Sequence, residues 1–198
     1  MASVVLSGDT SGSITISAPA VSGSTTQTLV NVTGTLAPIV SATAQASTSG
    51  TSIDFTGIPS WVKRITVMFQ GVSTNGSNDI QIQLGTSSGF TISGYLGASN
   101  STAGTGAATS NFTTGIGVRA GGASAAAAIR HGSVIISNIS GNAWVAQGAV
   151  GYSDTNTMIS TGASISLAAT LDRLRVIGSA TGSPSDTFDA GSINILYE

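Results

Sequence analysis

The feature that most constrains this chain is a strict alternation of apolar and more polar residues. From Ile65 onward every second residue is large and apolar, with Val67 and Phe69 next in the series, and the positions between them are more polar. Successive side chains of a β-strand point to opposite faces of a sheet. The pattern therefore predicts a strand whose Ile65, Val67 and Phe69 side chains face a core, with Arg64 on the opposite face.

Charged residues concentrate in two short groups. Lys63 and Arg64 stand at the start of the alternating strand and are two of only six lysines and arginines in the chain. We expect Lys63 at the rim of the sheet, where its stem packs and its charge reaches water. We favour protection of a sheet edge over ligand binding as the role of this pair. The second group, Asp172, Arg173 and Arg175, most simply forms cross-strand or intersubunit ion pairs.

A second alternating segment follows the first. Asn75 and Gly76 form a dipeptide typical of hairpin turns, and residues 79–84 then alternate without interruption. We expect the apolar side chains of this strand to face the core and its two glutamines to face outward. The inward set is Ile80, Ile82 and Leu84, and the outward set is Gln81 and Gln83.

The amino-acid composition extends this interpretation to the whole chain. The 198 residues include 32 serines, 26 threonines and 26 glycines, whereas charged residues make up only 7%. Small hydroxylated residues and glycine suit strands and turns better than helices. Eight or nine strands at roughly regular spacing, with no helical pattern, predict an all-β fold. We expect residues 51–198 to form an antiparallel β-sandwich of the jelly-roll type.

Residues 1–41 differ from the rest because their apolar stretches are short and separated by turn residues. They contain no aromatic residue, so they cannot build a core of their own. The segment is either a flexible linker or an extended, strand-containing arm that gains its burial from other copies of the chain, and we favour the arm. Residues 42–50 then link it to the sandwich. The candidate contacts of the arm are Ile14, Ile16, Leu29 and Leu36.

Charge and residue usage exclude several classes of function. The net charge is −2 and the only basic cluster is Lys63 with Arg64, so the chain lacks the cations that nucleic-acid binding requires. No apolar run approaches the roughly 18 residues that span a bilayer, and we expect no membrane insertion. The absence of cysteine excludes disulfides and thiolate metal sites. We predict no cofactor and no metal.

Residues suited to catalysis are few. The single histidine, His131, lies in a predicted strand. We expect it to be a hydrogen-bonded sheet residue, although a threefold axis could gather three copies around an ion. Asp186 and Asp189 are the acidic pair closest in sequence, and a glycosidase needs two carboxyl groups about 5–10 Å apart. The sequence around Asp186 is typical of a turn, so we predict that the protein is not an enzyme.

Three stretches of the sequence resemble modules of virion fibre proteins from tailed bacteriophages. They are SVVLSGDTSGSITISAPAVSGSTTQTL, GTSIDFTGIPSWVKRITVMFQGVSTNGSNDIQIQLG and DTFDAGSINILYE, and the second is the most specific. The resemblance covers almost the whole chain, and residues 97–111 and 121–128 carry little of it. It implies a structural virion protein, commonly trimeric, with an anchoring N-terminus and a distal β-sandwich. It carries over no catalytic residue.

A fibre subunit would contact its host through loops, because function concentrates on loops held by a rigid scaffold. Residues 97–111 and 121–128 are the longest predicted loops. Two tyrosines beside glycine-rich turns are the aromatic residues most easily spared from the core. The candidate receptor contacts are Tyr95, Tyr152, Asn100 and Asn111.

Three functions compete at this point. The favoured one is a tail or head fibre subunit, a homo-oligomer that binds other virion structural proteins and contacts host cell-surface glycan. The alternative is a capsid decoration or cement protein, and a hydrolase acting on glycan is less favoured. For the first two functions we expect the protein on the tail or capsid surface of the virion, after synthesis in the bacterial cytoplasm.

Overall fold

The computed structural model of the protein describes most of the chain. Contacts between residues divide the chain into two compact units, Met1–Leu36 and Ala37–Glu198. The described residues are 3–7, 11, 13–17, 38–104, 106–119, 126 and 128–198.

Every regular element in the described residues is a β-strand, and every strand pair is antiparallel. This part of the chain contains no helix long and apolar enough to cross a membrane. The all-β prediction is confirmed, although short strands raise the number above the eight or nine expected. The strands are β1 Ser3–Ser7, β2 Ser13–Ser17, β3 Val40–Ser41, β4 Gln45–Ala46, β5 Ser52–Thr56, β6 Arg64–Thr74, β7 Ile80–Thr86, β8 Gly89–Phe90, β9 Leu96–Ala103, β10 Gly106–Phe112, β11 Ile116–Gly117, β12 Arg130–Ser140, β13 Ala143–Tyr152, β14 Thr157–Ser166, β15 Arg173–Gly178 and β16 Phe188–Tyr197.

The first unit contains a β-hairpin in which β1 pairs with β2 and Leu6 lies opposite Ile14. The strands predicted in the N-terminal arm are therefore confirmed for this stretch. The exposed fractions of Val5, Leu6 and Ile16 are 56%, 55% and 63%. The hairpin thus leaves large apolar side chains in solvent, as expected of a segment with no core of its own.

The second unit is a sandwich of two antiparallel sheets. The larger sheet has nine strands, in the order β10-β9-β14-β13-β12-β6-β16-β3, and β4 also pairs with β16. The smaller sheet has five strands, in the order β11-β7-β15-β5, and β8 also pairs with β7. The core between them takes Ile65 and Val134 from the larger sheet and Ile82 and Leu174 from the smaller one. The predicted antiparallel β-sandwich is confirmed.

Strand β6 follows the predicted alternation. Ile65, Val67 and Phe69 are at most 4% exposed, whereas Arg64 and Gln70 are exposed. The strand lies between β12 and β16 in the larger sheet, so one of its faces packs on the core and the other meets solvent. One-sided burial of this kind produces a two-residue period in the sequence.

Gln81 and Gln83 lie on the outward face of β7 as predicted, but they are buried. All seven residues of β7 are buried, because other segments cover its outer face. Gln83 Nε2 donates to the carbonyl oxygens of Thr114 and Gly182 at 2.7 and 2.8 Å. Gln81 Nε2 donates to the carbonyl oxygen of Ser179 at 2.8 Å. Buried polar groups bonded in this way are tolerated, and alternation alone cannot distinguish them from solvent-facing ones.

Residues 42–50 do not form the predicted linker, because they are part of the sandwich. Strands β3 and β4 both pair with β16. Ser47 is fully buried, and its backbone N–H donates to the carbonyl oxygen of Gly191 at 2.9 Å. The sandwich unit accordingly begins at Ala37. The low-complexity sequence of this segment gives no sign of its pairing with a strand near the C-terminus.

The predicted loop at residues 97–111 is a β-hairpin. Strand β9 pairs with β10 on one side and with β14 on the other, so the hairpin extends the larger sheet at its edge. Its Gly, Ala, Ser, Thr and Asn side chains differ little in size and polarity, which is why no alternation marks these strands in the sequence. The second predicted loop, residues 121–128, lies outside the described residues except for positions 126 and 128.

Candidate functional site

A cleft lies at one edge of the sandwich and is lined from both sheets. On one side it is bounded by β5, the last strand of the smaller sheet, and on the other by β16 and the segment around β3 and β4. Its volume is about 410 Å³, within the roughly 300–1,000 Å³ typical of small-molecule sites. We name it the edge cleft, and its lining includes Thr43, Gln45, Asp54, Phe55, Ile195 and Tyr197.

The floor of the edge cleft is apolar. Phe55, Ile58 and Ile195 are 5%, 5% and 1% exposed and belong to the sandwich core. Gly57 directly follows β5 with a φ of 73°, a conformation that favours glycine, and so turns the chain from β5 toward Ile58. The floor of the cleft is therefore made of core side chains that are almost fully buried.

The rim of the edge cleft is polar, and Asp54 is the only charged residue in its lining. Within the described part of the chain, the Asp54 carboxylate makes no hydrogen bond and no ion pair. Thr43 is exposed and Tyr197 is half-buried. The cleft thus combines an apolar floor with hydrogen-bonding groups at its mouth.

Gln45 closes the free edge of β5. Among the described strands β5 pairs only with β15, so its other edge has no strand partner. Gln45 Nε2 donates a hydrogen bond of 2.6 Å to the backbone carbonyl oxygen of Asp54. Free strand edges attract other strands unless they are blocked. Gln45 supplies such a block at the Asp54 carbonyl oxygen.

Arg175 is held in place on the outward face of the smaller sheet. It lies opposite Asp54 in β5 and opposite Gln83 in β7. Its Nε donates to Gln83 Oε1 at 2.8 Å, and its guanidinium carbon lies 4.4 Å from the centroid of the Phe90 ring. Burial lowers the pKa of the Arg175 guanidinium, and the negative charge of Asp54 opposes that shift. Arg175 is therefore directed toward Gln83 and Phe90 and forms no ion pair with Asp54.

Tyr197, which lines the edge cleft, forms an aromatic pair with Trp61. The ring centroids of Trp61 and Tyr197 are 5.9 Å apart, with 49° between the ring planes. Trp61 is 40% exposed, which is high for a residue of its size. Trp61 thus presents aromatic surface to solvent.

Tyr95 is buried, so the prediction that it contacts a receptor is wrong. It is 1% exposed and part of the core. Its hydroxyl oxygen accepts a hydrogen bond from the Leu84 backbone N–H at 2.7 Å and donates to the carbonyl oxygen of Thr91 at 3.1 Å. Burial raises the pKa of the Tyr95 phenol well above its usual value. A glycine-rich surrounding sequence does not distinguish an exposed tyrosine from one that anchors a strand.

The other candidate receptor contacts lie in the larger sheet. Tyr152 is half-buried, and the guanidinium carbon of Arg130 lies 5.1 Å from its ring centroid. Asn100 and Asn111 are exposed on the neighbouring strands β9 and β10. Asn111 lies opposite Ala98, two residues before Asn100, so the two asparagines share one face of the sheet.

The candidate contacts of the N-terminal arm lie in the first unit. Ile16 is exposed in β2, and Ile14 pairs with Leu6 of β1. Leu29 and Leu36 lie outside the described residues. The participation of these side chains in oligomer or anchor contacts stays a prediction.

His131, Asp186 and Asp189 each bond a neighbouring segment of the sandwich. His131 Nδ1 accepts a hydrogen bond from the Gly71 backbone N–H of β6 at 3.3 Å, as predicted for a sheet histidine. Asp186 is buried and accepts a hydrogen bond from the Asn78 backbone N–H at 2.8 Å. Asp189 accepts a hydrogen bond from a serine hydroxyl of β6. His131 and Asp186 thus bond backbone N–H groups, and Asp189 bonds a side-chain hydroxyl.

The first charged group bonds the C-terminal residue, whereas the second forms an ion pair between neighbours in sequence. Arg64 forms an ion pair with Glu198, and the Lys63 backbone N–H donates to the Glu198 carbonyl oxygen at 2.7 Å. Arg173 Nε donates to the carboxylate of its neighbour Asp172 at 2.7 Å. The ion pair that this group forms within the chain therefore joins two neighbours in sequence and does not cross between strands. An intersubunit ion pair stays a prediction.

The edge cleft has no signature in the amino-acid sequence, because its walls come from distant parts of the chain. Asp54 lies in β5, Gln45 in β4 and Tyr197 at the end of β16. Trp61 is the one residue whose position in the sequence hints at exposure. It follows Pro59 in a turn before β6, so its side chain does not belong to the alternating apolar residues that fill the core. That signal identifies an exposed aromatic residue but not its partner.

Comparison with family models, curated proteins and solved structures finds no match to this chain. Among the described residues, no group of three or more His, Cys, Asp and Glu side chains could hold a metal ion. The apolar N-terminal hairpin and the edge cleft are thus the features from which a function can be inferred.

Proposed function

We propose that this chain is a structural virion protein of a tailed bacteriophage, a subunit of a tail or head fibre. Its N-terminal segment joins it to other copies, as a trimer, and to other virion proteins. Its β-sandwich contacts the host surface. Two kinds of observation support this function: the sequence resembles virion fibre proteins, and the structure has an exposed apolar hairpin and an uncharged sheet surface.

The observation that carries the proposal is the unpaired apolar surface of the N-terminal hairpin. Val5, Leu6 and Ile16 are each more than half exposed. Each such side chain gains about 1.5–3 kcal/mol when it is fully buried. A hairpin of two strands is at best marginally stable alone, so contact with further chains is the natural way to order it.

The sandwich has an uncharged surface on its larger sheet. Such a surface can pack closely against a similar domain or against a neutral host surface. The outward face of the larger sheet carries many short uncharged side chains, including Asn100, Thr109, Asn111 and Ser160. Such side chains offer adaptable hydrogen bonds and allow close approach without burying charge. Single contacts of this kind bind weakly, and repetition on a trimer raises the total affinity.

A capsid decoration protein is the second candidate, because an apolar hairpin could equally bind a neighbouring capsid subunit. Glycan hydrolysis has less support. Asp186 is buried and bonds the Asn78 backbone N–H, and Asp189 accepts a hydrogen bond from a serine hydroxyl of β6, so both carboxylates already have partners within the sandwich.

The location of the protein in the virion distinguishes these functions. Virions of the phage that encodes this chain would be purified by density gradient, probed with an antibody to the chain, and imaged by electron microscopy. We expect label on fibres of the tail or head. Label spread evenly over the capsid shell would favour the decoration protein, and absence of the chain from purified virions would overturn both.

A further inference from the structure

We propose that part of the outward face of the larger sheet packs against the same part of other copies of this chain. The inference deepens the assembly function proposed above and rests on it. The part in question crosses β3, β16, β6, β12 and β13. We name it the apolar band after its exposed or half-buried apolar side chains, which are Ile39, Leu196, Ile135 and Val145.

The strand register places these side chains on one face of the sheet. Leu196 and Ile135 both lie opposite Thr66 of β6, and Thr66 stands between two core residues of that strand. Val145 lies opposite the residue two positions beyond Ile135 on β12, so the two are diagonal neighbours. Because successive side chains of a strand alternate between faces, all of them point away from the core.

Ile39 extends the apolar band to the edge of the larger sheet. It precedes β3 and is 71% exposed. Together with Leu196 and Thr66 it lines a notch of about 120 Å³. The notch gives the sheet surface a depression that an apolar side chain of a facing copy can enter, and anchors in such pockets supply much of the binding energy of an interface.

The charges of the apolar band cancel each other. Arg64 and Glu198 lie opposite each other at the ends of β6 and β16 and form an ion pair. The side chains beside them are uncharged, including Ser41, Thr66 and Ser137. The apolar band of one copy therefore does not repel that of another, and the contact buries no unpaired charge. The cores of protein interfaces are depleted of charge in the same way.

The chain enters the sandwich beside the apolar band, and this favours another copy as the occupant. The sandwich unit begins at Ala37, two residues before Ile39. Two residues of chain span at most about 7 Å. Copies that are joined through their N-terminal segments therefore keep their apolar bands tethered, and tethering raises the effective concentration of one band for another.

The size of the apolar band shows that it acts together with the N-terminal hairpin. Five strands about 4.8 Å apart and two rows of side chains about 7 Å apart cover roughly 300 Å². A stable interface buries roughly 800 Å² on each partner. The apolar band is too small to hold copies together alone, so it adds to the contacts of the hairpin, and the assembly depends on both.

Single cysteines in the full chain report whether the apolar band is covered, because the chain has no cysteine of its own. Ile39→Cys and Val145→Cys place a thiol in the apolar band. Met158→Cys is the matched control, since Met158 is a 55% exposed apolar residue of the larger sheet. It lies opposite Gly151, which is on the same face as Val145 and about 20 Å along β13.

Each cysteine variant is made in the original chain and in a chain whose hairpin carries Val5→Ser, Leu6→Ser and Ile16→Ser, the monomeric background. The rate of reaction with a maleimide is then measured in both. We expect the thiols of the two band variants to react about tenfold or more slowly in the assembled chain than in the monomeric background, because a buried thiol is unreactive. The thiol of the control variant should react at the same rate in both.

A charge in the apolar band provides a second measurement. An unpaired carboxylate is costly to bury, so Val145→Asp should raise the protein concentration at which half of the assembly dissociates by about tenfold or more. Met158→Asp should leave that concentration unchanged. Sedimentation measures it, and circular dichroism checks that both variants are folded.

The proposal is overturned if the chain assembles while the band thiols react as fast as in the monomeric background, or if Val145→Asp assembles as well as the original chain. Either result would leave assembly through the hairpin intact and would free the apolar band for the host surface or another virion protein. A monomeric original chain would overturn the apolar band together with assembly through the hairpin. The virion function is tested separately, by location.

Discussion

Gln45 and Asp54 belong to opposite sheets of the sandwich, and a hydrogen bond of 2.6 Å joins Gln45 Nε2 to the Asp54 carbonyl oxygen. The bond blocks the free edge of β5 and helps to shape the edge cleft. It is also the kind of contact that sequence patterns do not reveal, because it links a residue in a low-complexity segment to one in a regular strand.

Replacing Gln45 with Ala should lower the free energy of unfolding by about 1 kcal/mol, the usual net value of one hydrogen bond. Urea denaturation measures the change. The matched control is Gln147→Ala, because Gln147 is exposed on β13. An equal decrease in the free energy of unfolding of the two variants would mean that the Gln45 hydrogen bond does not stabilise the edge of β5.

Replacing Gln83 with Ala should destabilise the fold more than Gln45→Ala does, and should lower the free energy of unfolding by about 3 kcal/mol or more. The substitution leaves the carbonyl oxygens of Thr114 and Gly182 and the Nε of Arg175 without their partner, and each buried unpaired group costs about 1–3 kcal/mol. Gln147→Ala again controls for the residue type. A loss below about 1 kcal/mol would show that this bonding network does not support β7.

Replacing Phe69 with Ala should lower the free energy of unfolding by about 3–5 kcal/mol, the range for a buried phenylalanine. Phe69 is 4% exposed and lies in the core. Leu96→Ala is the control, because Leu96 is 74% exposed and its loss should change stability by less than about 0.5 kcal/mol. Similar effects at both positions would contradict the register of β6.

Replacing Tyr95 with Phe should change how stability depends on pH. Because burial raises the pKa of the Tyr95 phenol, the folded state favours the protonated form. That contribution is complete below the usual tyrosine pKa of about 10 and is lost as pH rises above it. Tyr95→Phe loses the acceptor for the Leu84 N–H, so it should be less stable at neutral pH.

The difference between the Tyr95→Phe variant and the original chain should therefore shrink as pH rises above about 10. Denaturation curves across this range measure it. A constant difference would contradict the burial of the phenol.

The sequence predicts those parts of the fold that are buried on one face. Ile65 and Phe69 alternate with exposed residues in β6, and that contrast survives in the amino-acid sequence. In β7 the alternation of apolar and polar residues predicts correctly which side chains face the core. It does not predict that Gln83 is buried, because the segments that cover Gln83 lie far along the chain. Strands β9 and β10 escape detection because Ser, Thr, Ala and Asn occupy both of their faces.

The candidate site could not be predicted, because it arises from packing between distant segments. Tyr95 and Trp61 illustrate the limit. Both are aromatic residues near turns, yet Tyr95 is 1% exposed and Trp61 is 40% exposed. Tyr95 is buried because β7 offers a hydrogen-bond partner to its hydroxyl group. The residues around a tyrosine in the sequence do not show whether such a partner exists.

We propose that the chain is a structural subunit that assembles with its other copies through the N-terminal hairpin. Sedimentation equilibrium of the full chain at micromolar concentration tests it most directly. We expect a mass near three times the 19.4 kDa of one chain. A variant with Val5→Ser, Leu6→Ser and Ile16→Ser should be monomeric, whereas Ile139→Ser, which alters an exposed isoleucine of the sandwich, should remain trimeric. A monomeric original chain, or a trimer that survives the triple substitution, would contradict the claim.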